Sequence, residues 1–332
     1  MILTFKIKHS RDFSNELAKA RQLAQFAVET RARSSADVKQ FGLRSVISNQ
    51  IIRKYARNKN CRRARRINLI VPNQGIKLQD RKAYISSLKL ELDLSHLPAF
   101  QKINQIELNK DFAFVSVTVQ EQAQKEPQRW IGIDRNTTGH CAVIADPSTG
   151  KVLKLGKEAH HTHQKYKNLR TDLQKKGKFR LLKKTKNKES RIIRDLNHRI
   201  SREVVNYAVA NNAGIVLENL KNVRKAKSSK SFRSSLHSWS YAQLENFIGY
   251  KAKLLGIPVV KIDPAYTSQQ CSRCGLLGHR NGKHFECSCG HSDHADANAA
   301  FVIAERHMGM VRSPIDRDVG EGSTDTPIEA TA

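Results

Sequence analysis

The spacing of hydrophobic positions changes several times along this chain, and each change marks a new part. Residues 2 to 8 alternate apolar and polar, the pattern of a strand with one buried face. Residues 12 to 32 switch to helical spacing, with Leu17, Ala20, Leu23, Ala24, Ala27 and Val28 recurring on one side. A second helix is expected over 36 to 57, with Val38, Phe41, Val46, Ile47 and Ile51 on or near one face. From 67 to 119 the period returns to two. Leu88, Leu90, Leu92 and Leu94 alternate with Lys89, Glu91 and Asp93, and Phe112, Phe114, Val115, Val117 and Val119 close the stretch. This predicts a small β-barrel or sheet with the first two helices inserted into it.

A polar stretch from 121 to 128 marks the expected domain boundary. Beyond it the expected order is three strands, helices, strand, helix, strand, cysteine knuckle, helix. Asp146-Pro-Ser-Thr-Gly150 reads as the turn between strands 141–145 and 151–155. Residues 160 to 212 are mostly helical and very basic, with Leu169, Leu173, Ile192, Ile193, Leu196, Ile200, Val204 and Val205 able to pack on a sheet; Gly177 marks a break. Residues 221 to 235 are rich in Ser and Lys and read as a mobile loop. The acidic tail from Ser313 to Ala332 reads as disordered.

Composition narrows the partners. The chain carries 59 Lys and Arg against 30 Asp and Glu, a formal net charge of +29. Such an excess favours a polyanion, of which nucleic acid is the commonest; a membrane surface is the weaker reading. No run of 18 or more apolar residues occurs, so no transmembrane helix is expected. The alternating N-terminus is too short for a signal peptide. A reducing cytosol is therefore expected.

One basic run, Arg53, Lys54, Arg57, Lys59, Arg62, Arg63, Arg65 and Arg66, contains no acid. A solvated helix face is the plain reading of a charge run; phosphate contacts are favoured here because like charges repel without a partner. Between Lys165 and Arg202 lie fifteen Lys or Arg and three acids, among them Lys175, Lys176, Lys183 and Lys184, which are expected to contact nucleic acid too.

Two constellations carry chemistry. The first is three acids far apart in the chain. Asp134 follows the apolar strand that begins at Trp130, Glu218 ends the strand Gly214-Ile-Val-Leu, and Asp296 opens a helix. Singly, each has an ordinary explanation: a turn with Asn136, a strand end capped by Lys221, a helix N-terminus that favours acids. Together their spacing fits a mixed sheet of RNase H type, in which carboxylates at strand ends make an oxygen-rich pocket for Mg²⁺ or Mn²⁺. On so basic a chain the substrate is a phosphodiester, and the carboxylates are ligands rather than general bases.

The second is a cysteine cluster. Cys271-Ser-Arg-Cys274-Gly opens it and Cys287-Ser-Cys289-Gly closes it. Two such pairs in a cytosolic chain point to a tetrahedral Cys₄ zinc site of structural kind, since four thiolates leave no open position. The second pair is one residue tighter than the usual spacing. His279, His284, His291 and His294 lie near enough to replace a ligand or touch phosphate. His294 suits a phosphate contact, a proton transfer or an exposed loop position equally. Cys61 and Cys141 are isolated free thiols. Trp239 and Tyr241 suit core packing better than base stacking.

These residues carry a family likeness. Gly132-Ile-Asp134, Val216-Leu-Glu218-Asn-Leu220, Trp239-Ser-Tyr241, Pro264-Ala-Tyr-Thr-Ser-Gln-Gln-Cys271 and His294-Ala-Asp296-Ala-Asn298 resemble TnpB, the transposon-associated RNA-guided nucleases related to type V CRISPR effectors. The likeness is specific over about 130 to 305 and covers only the layout before that. It implies that Asp134, Glu218 and Asp296 are the acids of a RuvC-type nuclease domain and that the four cysteines hold zinc beside it. It also implies a guide RNA from a transposon end or CRISPR-like locus, and double-stranded target DNA cut beside a short flanking motif. Base pairing would read the sequence and the protein the backbone shape. Residues 1–10 and 67–125 would form a wedge-like β domain, 11–66 a helical recognition lobe, 126–270 with 292–310 the nuclease domain, 271–291 the zinc knuckle and 311–332 the tail. Arg135-Asn136 after the first acid is a variant turn. The competing readings are a guide-dependent repressor without cleavage, an unguided RNase H-fold nuclease and a transposase.

Overall fold

The computed structural model describes residues 1–58, 60–136, 139–220 and 241–311. Within it the chain divides into two compact units, Met1–Glu121 and Gln122–Ala332. The loop expected at 221 to 235, Trp239 and the tail from Ser313 lie outside the described residues, as does the side chain of Tyr241.

In the first unit, strand β1 (Ile2–Lys8) leads to helix α1 (Ser14–Thr30), a 3₁₀ segment (Ser35–Phe41), helix α2 (Ser45–Tyr55) and strand β2 (Leu69–Pro72). Strands β3 (Lys77–Gln79), β4 (Lys82–Ile85), β5 (Leu90–Asp93), β6 (Lys102–Leu108) and β7 (Phe112–Thr118) follow. They pair as two open antiparallel sheets, β1-β7-β6-β2 and β3-β4-β5. The pairing therefore gives a sheet with two free edges, β1 and β2, in place of a closed barrel. The insertion of α1 and α2 between β1 and β2 is as the periodicity predicts. The alternating leucines are indeed inward: Leu88, Leu90, Leu92 and Leu94 are all buried.

The single helix expected over 36–57 is interrupted. Gly42 takes a left-handed conformation (φ 64°) and its N–H bonds the Lys39 carbonyl, ending the first segment. Val38 is already off helical geometry. The apolar stripe of residues 38 to 51 thus belongs to two short elements.

The second unit is built on a five-stranded sheet ordered β10-β9-β8-β11-β12, from strands β8 (Arg129–Arg135), β9 (Ala142–Asp146), β10 (Lys151–Leu155), β11 (Ala213–Glu218) and β12 (Val259–Ile262). The first three strands run antiparallel as hairpins; β11 and β12 are parallel to β8, each entered through helices. Helices α3 (Lys157–Lys175), α4 (Phe179–Thr185) and α5 (Lys188–Ala210) precede β11, and α6 (Tyr241–Leu254) precedes β12. Gly177 (φ 62°) makes the expected break, and Asn187 (φ 69°) makes a second one that periodicity did not reveal. After β12 come the short strands β13 (His279–Asn281), β14 (His284–Glu286) and β15 (Ser292–His294), then helix α7 (Ala295–His307).

Strand alternation sorts the side chains onto two faces. Ile131, Ile133, Ile215 and Leu217 pack against Leu196, Ile200 and Val204 of α5 and Leu244 and Ile248 of α6. The opposite face receives α7, whose Ala297 and Ala300 meet Val143 and Ala145. The helix lies so close that a Cβ on Gly132 would stand 2.0 Å from the Ala300 carbonyl oxygen. Only glycine lets α7 seat there, and this seating brings the start of α7 to the strand ends.

Candidate metal and nucleic-acid site

Asp134 and Glu218 have the same parity as Gly132 and Val216, so both side chains belong to the face covered by α7. Asp296 lies in the first turn of α7. All three acids are buried: Asp134 is 8%, Glu218 7% and Asp296 0% exposed. The acids are separated by 84 and 78 positions in the sequence, yet Asp134 lies close enough to feel the charge of both Glu218 and Asp296.

Their surroundings differ. Asp134 accepts a 2.8 Å hydrogen bond from the Asn136 amide. Its pKa is pushed up to about 7, first by burial, then by the charge of Glu218; Asn136 opposes the shift and Asp296 adds to it. Burial also raises Glu218, against a hydrogen bond from the Thr267 hydroxyl and the charges of Arg135 and Arg306. Among the described residues neither of these two carboxylates makes an ion pair. Asp296 makes two: Arg280 reaches one carboxylate oxygen at 2.9 Å and Lys283 the other at 2.5 Å. Both cations stand on or beside the hairpin β13–β14.

Two buried carboxylates without an ion pair among the described residues, each close to further negative charge, are the kind of donor that a hard divalent cation satisfies. Without one, ionising Asp134 works against the fold. Its folded pKa (about 7) lies above the reference value of 3.8, so the folded state holds the proton more tightly. Stability from this group is present below the reference value and is lost as pH rises through about 7. Asp134→Asn should therefore stabilise the metal-free protein, with a gain that grows between about pH 4 and 7 to on the order of 1–3 kcal/mol. Thermal midpoints of both proteins across that range check this; a gain that is flat with pH refutes it. Added Mn²⁺ should favour the wild type instead.

The four cysteines also converge. Their sulfurs lie within 4.8 Å of one another, with Cys271 to Cys289 at 3.8 Å and Cys274 to Cys287 at 3.5 Å. These spacings are far beyond an S–S bond of about 2.05 Å. They match the edge of roughly 3.8 Å that follows from tetrahedral Zn–S bonds of about 2.3 Å. The donor set can hold zinc, and the tight second pair does not prevent it: Gly290 (φ 82°) turns the chain back, its N–H bonding Cys287. Gly275 (φ 73°) does the same for Cys271. Burial pushes the Cys271 thiol up to about 12, while backbone N–H bonding from Cys289 draws Cys287 down to about 7. No histidine joins the group among the described residues. His291 approaches the Ser272 hydroxyl, His284 pairs with Glu286, and His279 is exposed. His294 is half-buried at the junction of β15 and α7, and its Nδ1 has no partner there. It is a junction residue rather than an exposed loop histidine.

The basic candidates are exposed: Arg53, Arg57, Arg62, Arg63, Arg65 and Arg66 in the first unit, and Lys175, Lys183 and Lys184 in the second. Two others carry partial balance that the sequence did not reveal. Lys54 meets Glu107 of β6 at 2.8 Å, and Lys176 meets Asp172 one turn back at 2.8 Å.

Sequence reasoning missed Arg280, Lys283, Thr267 and the contacts of Arg135. No spacing rule marks them. Arg280 and Lys283 fall in the interval between the cysteine pairs, and only the folding of that hairpin turns them onto Asp296.

The comparisons agree with this architecture. The family profile of the Cas12f1-like TNB domain matches residues 241–303. A TnpB-like protein of Methanocaldococcus jannaschii is 29% identical over 232 residues, 64% of this chain and 82% of that protein. The CRISPR-associated endodeoxyribonuclease Cas12f1 of Sulfoacidibacillus thermotolerans is 44% identical over 113 residues, 32% of this chain. That match spans only 26% of the Cas12f1 protein's own length. In fold, the chain is similar to Cas12f1 in a cryo-EM complex with sgRNA and target DNA, at a TM-score of 0.58 and 16% identity, over 88% of this chain and 82% of that one. No described helix is long and apolar enough to cross a membrane.

Proposed function

We propose, from the premise that this chain is of the TnpB/Cas12f type, that it is an RNA-guided DNA endonuclease with a single site at Asp134, Glu218 and Asp296. The observation that carries the reading is three buried carboxylates, Asp134 within electrostatic reach of both Glu218 and Asp296, and two of them without ion pairs among the described residues of a basic protein. The bond broken is the P–O3′ bond of a DNA phosphodiester; water supplies the new P–O bond, and the 3′ oxygen leaves with a proton.

Mg²⁺ or Mn²⁺, when bound, would supply Lewis acidity and charge for that displacement. The chain's own residues do the rest. Asp134 and Glu218 offer ligand oxygens at the ends of rigid strands. Asn136 and Thr267 fix the rotation of those two carboxylates through one hydrogen bond each. Asp296 is held by Arg280 and Lys283, which also place positive charge where a scissile phosphate is repelled by the carboxylates. The cysteine hairpin bears these two cations, so zinc at Cys271, Cys274, Cys287 and Cys289 would act through position alone.

The remaining assignments belong to the same proposal. The β strands of residues 1–10 and 67–125 serve as a wedge gripping guide RNA, and the helices of 11–66 follow the guide–target duplex. Residues 126–270 and 292–310 form the nuclease domain, with the knuckle at 271–291. The exposed basic side chains of Arg53, Lys54, Arg57, Arg62, Arg63, Arg65 and Arg66 and of Lys175, Lys176, Lys183 and Lys184 neutralise phosphates. The names of the relatives and the cryo-EM complex of Cas12f1 with sgRNA and target DNA support these partners.

The test is to express the protein with its flanking genomic DNA, sequence the RNA that co-purifies, and challenge the complex in Mg²⁺ with a DNA library matched to that RNA. A discrete RNA and cutting of matched DNA at a shared flanking motif are expected. Binding without cutting overturns the nuclease reading in favour of a repressor. Cutting without a discrete RNA overturns guidance in favour of an unguided nuclease.

A further inference from the structure

The residue after the first acid of the site is an arginine, and its side chain is completely buried (0% exposed). Strand alternation places it on the face opposite Asp134, toward α6, where Ile131 and Ile133 precede it. It therefore does not share the pocket of the carboxylates. A buried guanidinium is costly unless its donors are used, so where they go is informative.

One terminal nitrogen, Nη2, donates to the backbone carbonyl of Glu218 at 2.6 Å. The other, Nη1, donates to the Glu245 carboxylate on α6 at 2.7 Å. Glu245 is in turn paired with Lys261 of β12. A single chain of charge-assisted bonds thus links β8, β11, α6 and β12 at one end of the sheet.

The position of this link matters. The registered pairing of β8 with β11 stops at Ile133 and Leu217, one residue short of both acids. Asp134 stays paired to Val143 of β9 and Glu218 to Ile262 of β12, but the β8–β11 ladder does not tie the two acids to each other. The Arg135–Glu218 bond spans the gap. It takes the place of the next ladder contact and acts on the backbone that carries each carboxylate.

We infer that Arg135 is a positioning residue: a strut behind the sheet that sets the separation of Asp134 and Glu218 and thereby the affinity of the pocket for its divalent cation. The inference rests on the reading of those acids as a metal site. Outer residues that orient metal ligands commonly change metal affinity by about 10–100-fold when replaced. Lysine is a poor substitute, because one ammonium does not offer the planar fork that reaches both partners.

The experiment is Mn²⁺ binding to the full-length, zinc-loaded protein, followed by loss of the free-Mn²⁺ EPR signal and by the spectrum of the bound ion. Wild type is compared with Arg135→Lys, Arg135→Met, Arg135→Met with Glu245→Met, and Glu218→Gln. The double variant removes the buried ion pair as a unit, which protects the fold from a stranded charge. Glu218→Gln should lose the tight site. The Arg135 variants should weaken Mn²⁺ by about tenfold and broaden the bound-ion spectrum, with single-stranded nucleic-acid affinity unchanged. A double variant that unfolds cooperatively and binds Mn²⁺ like wild type overturns the strut, as does a lowered thermal midpoint with unaltered Mn²⁺ affinity. If Glu218→Gln also binds like wild type, the metal-site reading itself fails and the strut with it.

Discussion

Replacing any one of Asp134, Glu218 or Asp296 with alanine should abolish divalent-dependent DNA cleavage while leaving RNA binding intact. The loss should be roughly 10³-fold or more, the upper range for removing one preorganised stabiliser of transition-state charge. The fold should survive, because each carboxylate is a cost to the metal-free protein or a local pairing rather than part of the apolar core. For Asp134 and Glu218 burial outweighs every favourable partner and raises the pKa. Asp296→Ala differs in one respect: it strands Arg280 and Lys283 without their shared carboxylate. That variant should be the least stable of the three. The measurement pairs cleavage of matched DNA with guide-RNA affinity on the same preparations. Three variants that still cut would dismiss the site, and loss of RNA binding along with cleavage would mean that the fold, not the chemistry, had been damaged.

The second large effect concerns the cysteines. Cys271→Ser with Cys274→Ser should take bound zinc from one equivalent to none and destabilise the hairpin β13–β14–β15. This hairpin has little else to hold it. Its small cluster contains Cys271, Phe285 and Ala295, and its strands have three residues each. Structural zinc contributes about 10–16 kcal/mol of binding free energy in small zinc modules, much of it realised as folding. Disorder in the hairpin would also release Arg280 and Lys283 from Asp296, so cleavage should fall although no carboxylate has changed. Zinc content by elemental analysis, the thermal midpoint and cleavage should move together. A zinc-free double variant with an unshifted midpoint and full activity would refute the assignment.

These consequences were unequally visible in the chain. The period of apolar residues located β8, β11, the basic helices and α7 because each pattern is local: what a strand or helix buries is decided within a few residues. The cysteine group was legible for a similar reason, since two short spacings constrain four sulfurs to one place. The three acids were legible as candidates because each ends or opens an element. Their environments were not: the raised pKa of Asp134 depends on α7 closing over the strand ends, which Gly132 permits.

The helix expected over 36–57 shows the limit from the other side. Its apolar stripe is real, but Gly42 favours a left-handed turn strongly enough to divide it. The alternating strands of 67–119 likewise fixed which side chains face inward without fixing which strand pairs with which. Pairing is a long-range choice, and here it leaves two open sheets.

By itself, then, the sequence determined the order of elements, the mixed α/β character, the polyanion-seeking charge and the two groups of chemistry-bearing residues. Only the tertiary structure decided which partners those residues have. Lys54 finds Glu107, Arg280 and Lys283 find Asp296, and Arg135 reaches Glu218 and Glu245 across 83 and 110 positions of chain. Such contacts are set by strand register, helix seating and hairpin folding, which are cooperative properties of the whole unit. A local pattern carries no term for them.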